Sequence, residues 1–446
     1  MAARSRSGAV AVVALAGLGL GACSWGAFDD LADTTWVDSA GTPSGFDSRL
    51  FGEGLASGGV SVGEGASFMV LGRSNDIVAR FSYDRAGTLT SQGAEVRDLL
   101  DNAGPLPQFP AFAGDRYGTN VALAAINGAP PGSDISVGVW DAVTLDPVGS
   151  FPLDVDGDPE AKVVGDLAFG RTGAGELAAT DIALAREDEI VVIADYSGDA
   201  PVTTSCLHSN RFAFSIVSGD FDPATDGDEI VIAVGNESRD EVPSQLIILN
   251  ADLVEQAFVP GAASQCRDDG AGRSYLLNID PPEQEPDFGS AMITGDLDGD
   301  GSLDLIVSAP ASNTVYIYQD LDVAGGDPGT PVAVAIPAGA IGFGTSLAAG
   351  DLDGDGADEL AIGDPRGFAE DVMFGGNVYL YQGGASLGTP LVLHDAEPEG
   401  DQFFGQSLLI APFGAADHIL VVGADAEVFT YFDTNLPADD DVRDGS

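Results

Sequence analysis

One fifteen-residue pattern occurs twice, as DLDGDGSLDLIVSAP from Asp296 and as DLDGDGADELAIGDP from Asp351. Each copy has Asp at positions 1, 3 and 5, Gly at 6 and an acid at 9, and each runs directly into an apolar stretch. Alternate Asp side chains on a tight turn converge on one point, where they repel one another unless a cation lies between them. Calcium takes six to eight oxygens, which carboxylates and a backbone carbonyl can supply. Glycine at position 6 permits the sharp turn. A helix–loop–helix calcium site is excluded, because it needs Glu at position 12. Position 12 is Val307 in one copy and Ile362 in the other, and both copies lead into strands.

The pattern belongs to a larger repeat. Phe288-Gly289, Phe343-Gly344 and Phe404-Gly405 each open a unit. In the first two units the Asp loop and its apolar strand are followed by TVYIYQ from Thr314 or NVYLYQ from Asn377, and then by VAVAI or LVLH. Short alternating runs between turn residues predict four strands per unit. Fainter units open at Phe51-Gly52 and at Tyr117-Gly118, the latter leading to Asp134 and ISVGVW. Two more read as Asp181 leading to Glu189 and EIVVIAD, and as Phe214 leading to GDFDPATDGDEIVIAVG. Units of this length, seven in all, predict an all-β fold. The expected form is a seven-bladed β-propeller of four-stranded antiparallel blades spanning residues 24–435. The last unit lacks a fourth strand, and the segment around Thr34 to Val37 is expected to supply it and close the ring. The acidic tail, residues 436–446, is expected to be disordered.

The Phe-Gly dipeptide, the Asp-rich loop and LIVSAP resemble the FG-GAP repeat of the integrin α-subunit propeller. The resemblance implies calcium in loops that join the first and second strands of some blades. Unit five then offers Asp296, Asp298, Asp300 and Asp304, and unit six offers Asp351, Asp353, Asp355 and Glu359. By analogy with the family, the backbone oxygens of Ser302 and Ala357 complete the two shells. A third loop, with one extra residue, carries Asp220, Asp222, Asp226 and Glu229. Unit three has Ala183 and Ala185 where ligands are needed and is expected to be metal-free. Asp154, Asp156 and Asp158 read as a solvated loop, since Pro159 replaces the glycine and Lys162 the acid. No adhesion domain is inserted into the repeats, so integrin function does not transfer.

The chain has 446 residues, with 71 acids against 17 bases and a net charge of −54. Such a surface repels nucleic acid and anionic lipid headgroups, which excludes both as partners. Residues 1–23 read as a targeting segment: Arg4 and Arg6 precede a short apolar run that ends in Leu20-Gly21-Ala22-Cys23. This ending resembles the lipobox of bacterial lipoproteins, which implies lipidation at Cys23. The rest of the chain is then tethered at the outer membrane or cell surface in preference to the inner membrane. Cys206 and Cys266 are left as a candidate disulfide in an oxidising compartment, worth about 4 kcal/mol in the chain-entropy model.

The three histidines, His208, His394 and His418, show no zinc spacing, and no nucleophile elbow or phosphate loop occurs. The expected function is a non-catalytic, calcium-stabilised propeller that binds a protein or glycan at the cell envelope. The rival expectations are a polysaccharide-active lyase or hydrolase on the same scaffold, and a structural component of an envelope complex.

Overall fold

The computed structural model describes residues 35–38 and, with gaps, residues 51–432. The longest stretches outside the described residues are 1–34, 39–50, 96–110, 154–163, 251–276 and 433–446. The targeting segment, Cys23, Cys266, the Asp154–Lys162 loop and the acidic tail therefore lie outside them. Cys206 falls in the strand Val202–Leu207, but its side chain is outside the description, so the candidate disulfide is too.

The described strands fall into seven four-stranded sheets, each antiparallel. Sheet one runs from Phe51–Ala56 to Leu89–Glu95, two from Phe112–Gly114 to Pro147–Pro152, and three from Val164–Gly170 to Val202–Leu207. Sheet four runs from Phe212–Gly219 to Leu277–Ile279, five from Met292–Gly295 to Val332–Ala333, and six from Ser346–Gly350 to Leu391–Leu393. Sheet seven contains Ser407–Phe413, Asp417–Gly423 and Glu427–Phe432, and its fourth strand is Thr35–Asp38, paired with Glu427–Phe432. The first strands of successive sheets touch in chain order, and the first strand of sheet seven touches that of sheet one. This is a β-propeller, with first strands innermost about a common axis.

The core lies between consecutive sheets. One apolar cluster joins Ile190 and Val192 of sheet three to Ile230, Ile232 and Ile247 of sheet four. Another joins Leu305 and Val307 of sheet five to Phe288 and to Val231 and Ile248 of sheet four. A strand sandwiched on both faces reads as a continuous apolar run. Asp304–Ala309 and Glu359–Asp364 are accordingly buried at every position.

Phe-Gly dipeptides seat blades five, six and seven. Phe288, Phe343 and Phe404 are fully buried. Their rings meet Tyr316, Tyr379 and Phe429 of the third strands edge-on, at 5.9, 5.5 and 5.0 Å. Gly289 has φ +88°, a left-handed conformation that glycine adopts without strain. A Cβ there would also come within 2.5 Å of Ala233 in the neighbouring sheet.

Two units differ from their sequence reading. Tyr117-Gly118 lies between the first and second strands of sheet two, not ahead of the first, and ISVGVW is the third strand, Ile135–Asp141. In sheet three, EIVVIA is likewise the third strand, Glu189–Ala194, and Asp181 opens the second, Asp181–Arg186. Both errors slip the register by one hairpin. The cause is that small-residue second strands (NVALAAI, DIALAR) carry less β signal than the branched third strands beside them.

Candidate metal centre

In blades five and six the first strand ends at Gly295 or Gly350, and the Asp loop follows at once. Backbone N–H groups fold each loop onto its own carboxylates. Asp296 accepts from Asp300 at 3.0 Å and from Gly301 at 2.9 Å. Asp351 accepts from Gly354 at 2.7 Å and from Gly356 at 3.1 Å. Asp300 and Asp355 accept from Ser302 and Ala357 at 2.8 and 2.9 Å. The position-6 glycines, Gly301 and Gly356, have φ +90° and +93° with open space around them. Backbone conformation, not crowding, selects glycine there.

Asp296, Asp298 and Asp300 each present one oxygen within 4.8 Å of the others, and so do Asp351, Asp353 and Glu359. An ion with oxygens at 2.3–2.6 Å spans about 5 Å from one oxygen to the opposite one. Both all-oxygen groups therefore fit a hard divalent cation. Asp304 and Asp355 lie outside these two groups of three.

The acid at position 9 has a role the spacing did not reveal. Asp304 accepts the N–H of Leu297 at 3.0 Å, Glu359 that of Leu352 at 2.7 Å, and Glu229 that of Phe221 at 2.9 Å. In all three blades this buried acid ties down the residue that follows position 1. Glu359, one methylene longer than Asp304, both makes this tie and belongs to the carboxylate group. Burial, then the neighbouring Asp353, push Glu359 up to about 8. Burial, then Asp355, raise Asp353. A cation would reverse this penalty. In the third candidate loop Asp220 is exposed and Glu229 buried, while Asp222 and Asp226 lie outside the described residues.

Four further contributors went unread in the sequence. Gln319 and Gln382, which follow the third strands, donate to Asp298 at 3.5 Å and Asp353 at 3.3 Å. The repeated YQ ending was the available signal. Asp358 reaches back one blade: its carboxylate accepts the N–H of Asp296 at 2.9 Å, and its own N–H donates to the Asp296 carbonyl at 2.7 Å. His418 of blade seven touches the Asp351 carbonyl through Nδ1 at 2.6 Å.

Blades two to four use the same junction differently. Asp228 accepts the N–H of Arg171 at 2.9 Å and donates its own N–H to the Arg171 carbonyl at 2.9 Å. It also receives Tyr117 Oη at 2.8 Å and pairs with Arg116 at 3.0 Å. Arg116 extends further, to Thr294 of blade five at 3.2 Å. The Arg171 guanidinium lies 4.0 Å from the Tyr117 ring centroid. Asp115, buried, accepts Tyr196 Oη from blade three at 2.8 Å.

Fold and loops together define a β-propeller with cation-ready carboxylate loops between the first and second strands of adjacent blades. The family model of the FG-GAP-like repeat matches residues 296–362, the span that contains both loops. No curated protein matches the sequence. Among solved structures the chain is similar to the Dos1 propeller, at 12% identity and a TM-score of 0.48, over 89% of this chain and 93% of that one. It is also similar to BBS1N in its complex with ARL6DN, at 14% identity and a TM-score of 0.45, over 90% of this chain and 98% of that one.

Proposed function

We propose that this chain is a calcium-stabilised, non-catalytic binding propeller, exported and anchored to the bacterial envelope through a lipid on Cys23. The observation that carries the calcium reading is the pair of three-carboxylate groups at equivalent places in consecutive blades. Bound calcium would neutralise the acids and stiffen the loops. The chain's own residues preorganise the sites through the backbone donors, Gln319, Gln382 and the position-9 ties. The ligand class that fits the export reading is a protein or glycan at the cell envelope.

The test is thermal melting of the full chain in millimolar calcium and then in excess chelator. Calcium at ten times the dissociation constant adds about 1.4 kcal/mol per site, so two sites contribute about 3 kcal/mol. Chelation is expected to lower the melting temperature of the wild type and to leave an Asp298→Ala, Asp353→Ala double variant unmoved. A wild-type curve indifferent to chelator would sink the calcium reading. Turnover of an envelope polysaccharide by the purified chain would sink the non-catalytic one.

A further inference from the structure

The end of the propeller opposite the carboxylate loops carries an apolar surface with an acidic rim. In an antiparallel blade, the loop from the second to the third strand and the connection entering the first strand lie at the far end from the first-to-second loop. In blade six these are residues 365–376 and 334–345. Of the six described large apolar residues that are conspicuously exposed, four belong to these two segments: Ile336, Ile341, Phe368 and Met373. Phe368 and Met373 are 47% and 55% exposed. The segments are joined, since the Ile341 N–H faces Asp364 at 3.3 Å and Gly342 lies against Arg366.

The surface is held open by its backbone. Four of the six described non-glycine residues with positive φ are here: Glu370, Phe374, Asp401 and Phe403. Phe374 and Phe403 stack at 5.8 Å, and the Phe403 N–H donates to the Phe374 carbonyl at 2.9 Å, tying the blade-six loop to the segment that enters blade seven. A Cβ on Gly376 would fall 2.2 Å from the Phe404 carbonyl, so the loop is seated directly on the next blade. Strained backbone persists only where surrounding structure enforces it, and it concentrates at binding sites.

Charge decides the occupant. Among the described residues of these segments, the exposed neighbours Glu370, Asp371 and Asp401 are acidic, against a single exposed base, Arg366. A second copy of a chain of net charge −54 would bring like charge against like. We propose that this blade-six surface docks a basic protein segment with apolar anchors, the apolar side chains settling on Phe368, Met373 and Ile341 and the cations on the rim. The proposal rests on the reading of the propeller as a binding scaffold and is independent of calcium.

The probe is a fluorescent amphipathic Leu/Lys peptide, compared with a Ser/Lys version of equal charge and a Leu/Glu version. Binding to the full chain is followed by anisotropy at high salt, where diffuse attraction to the acidic surface is screened. Losing two apolar anchors is expected to weaken binding about tenfold or more in a Phe368→Ser, Met373→Ser variant. A Glu370→Lys, Asp371→Lys variant tests the rim separately and should also bind more weakly. Both variants alter exposed residues, and an unchanged melting temperature verifies their folding. Equal affinity of wild type and the apolar variant overturns the surface assignment, even if the calcium melt succeeds. Equal binding of the Ser/Lys peptide overturns it too. Dimerisation of the wild type that the apolar variant abolishes would make the surface a self-interface and likewise overturn the proposal.

Discussion

Blades five and six and blades two to four solve one problem with different chemistry. Where the innermost strand ends, the chain must turn outward beside the propeller axis, and the polar groups of the turn need partners. Blades five and six gather carboxylates into two groups of three and fold backbone donors around them. Blades two to four bring side chains of opposite charge and hydroxyls together, with Arg116 and Tyr117 on Asp228 and Tyr196 on Asp115. Both regions share one device. An Asp from the following blade grips the first residue of the turn through both its N–H and its C=O, Asp358 on Asp296 and Asp228 on Arg171. The grip thus occurs in both regions, and the carboxylate loop is an elaboration on it in blades five and six.

The largest effect expected from breaking this comparison is at Asp228. Asp228→Ala removes the acceptor for the Arg171 N–H, for Tyr117 Oη and for Arg116 at once. Breaking a buried pair by removing one partner costs about 3–5 kcal/mol. Arg116 is 30% exposed, so solvent screens part of that, and about 3 kcal/mol is the expected loss. Urea denaturation checks it, and the loss should be the same in calcium and in chelator. A loss seen only in calcium would mean that the two regions are not chemically separate.

The two regions also hold their inner acids differently. Glu359 has carboxylates beside it, whereas Asp166 in the first strand of blade three accepts from Leu167, Ile216 and Ser215. Burial pushes Asp166 up to about 6. A folded pKa above the unfolded value means that the folded state binds the extra proton. The stability Asp166 contributes is therefore present below about pH 4 and is lost as pH rises through about 6. Two units correspond to at most about 3 kcal/mol, less in proportion to the solvent the residue meets. In chelator, the difference in unfolding free energy between wild type and Asp166→Asn should change by at most about 1.4 kcal/mol from pH 5 to pH 7, roughly half of the full effect, because at pH 5 the unfolded carboxyl is already ionised. Parallel profiles would remove Asp166 from the account.

The legibility of the sequence divides along the same line. Blades five and six could be read because Phe-Gly, Asp loop and branched strand recur at fixed offsets, and blade seven because it keeps the Phe-Gly; the buried Phe288, Phe343 and Phe404 show why that residue is required. The registers of blades two and three slipped by one hairpin because NVALAAI and DIALAR are small-residue strands stabilised by their neighbours. The loop acids were legible from spacing, but the division of labour at position 9 was not. Whether the position-9 acid joins the carboxylate group, as Glu359 does and Asp304 does not, depends on one methylene and on where Leu297 and Leu352 place their N–H groups. The Arg116–Asp228 pair links residues 112 positions apart and carries no local pattern.

The smallest expected effect is also the sharpest test of the shared grip. Asp358→Ala removes one acceptor and leaves the Asp296 N–H without its 2.9 Å partner, while the reciprocal bond from the residue-358 backbone N–H to the Asp296 carbonyl can remain. An unsatisfied, partly buried donor costs about 1–2 kcal/mol. No guanidinium is involved here, so the loss should fall well below that at Asp228. Asp296 also opens the blade-five carboxylate group, so the variant should weaken calcium binding at blade five while leaving an Asp296→Ala background almost unaffected. A double-mutant cycle read by calcium-dependent melting separates the two contributions. Simple additivity of Asp358→Ala and Asp296→Ala in that cycle would show that the grip fixes the fold without positioning the loop. Strong coupling would show that the device holding the axis together in blades three and four has been turned, in blades five and six, to hold a ligand residue in place.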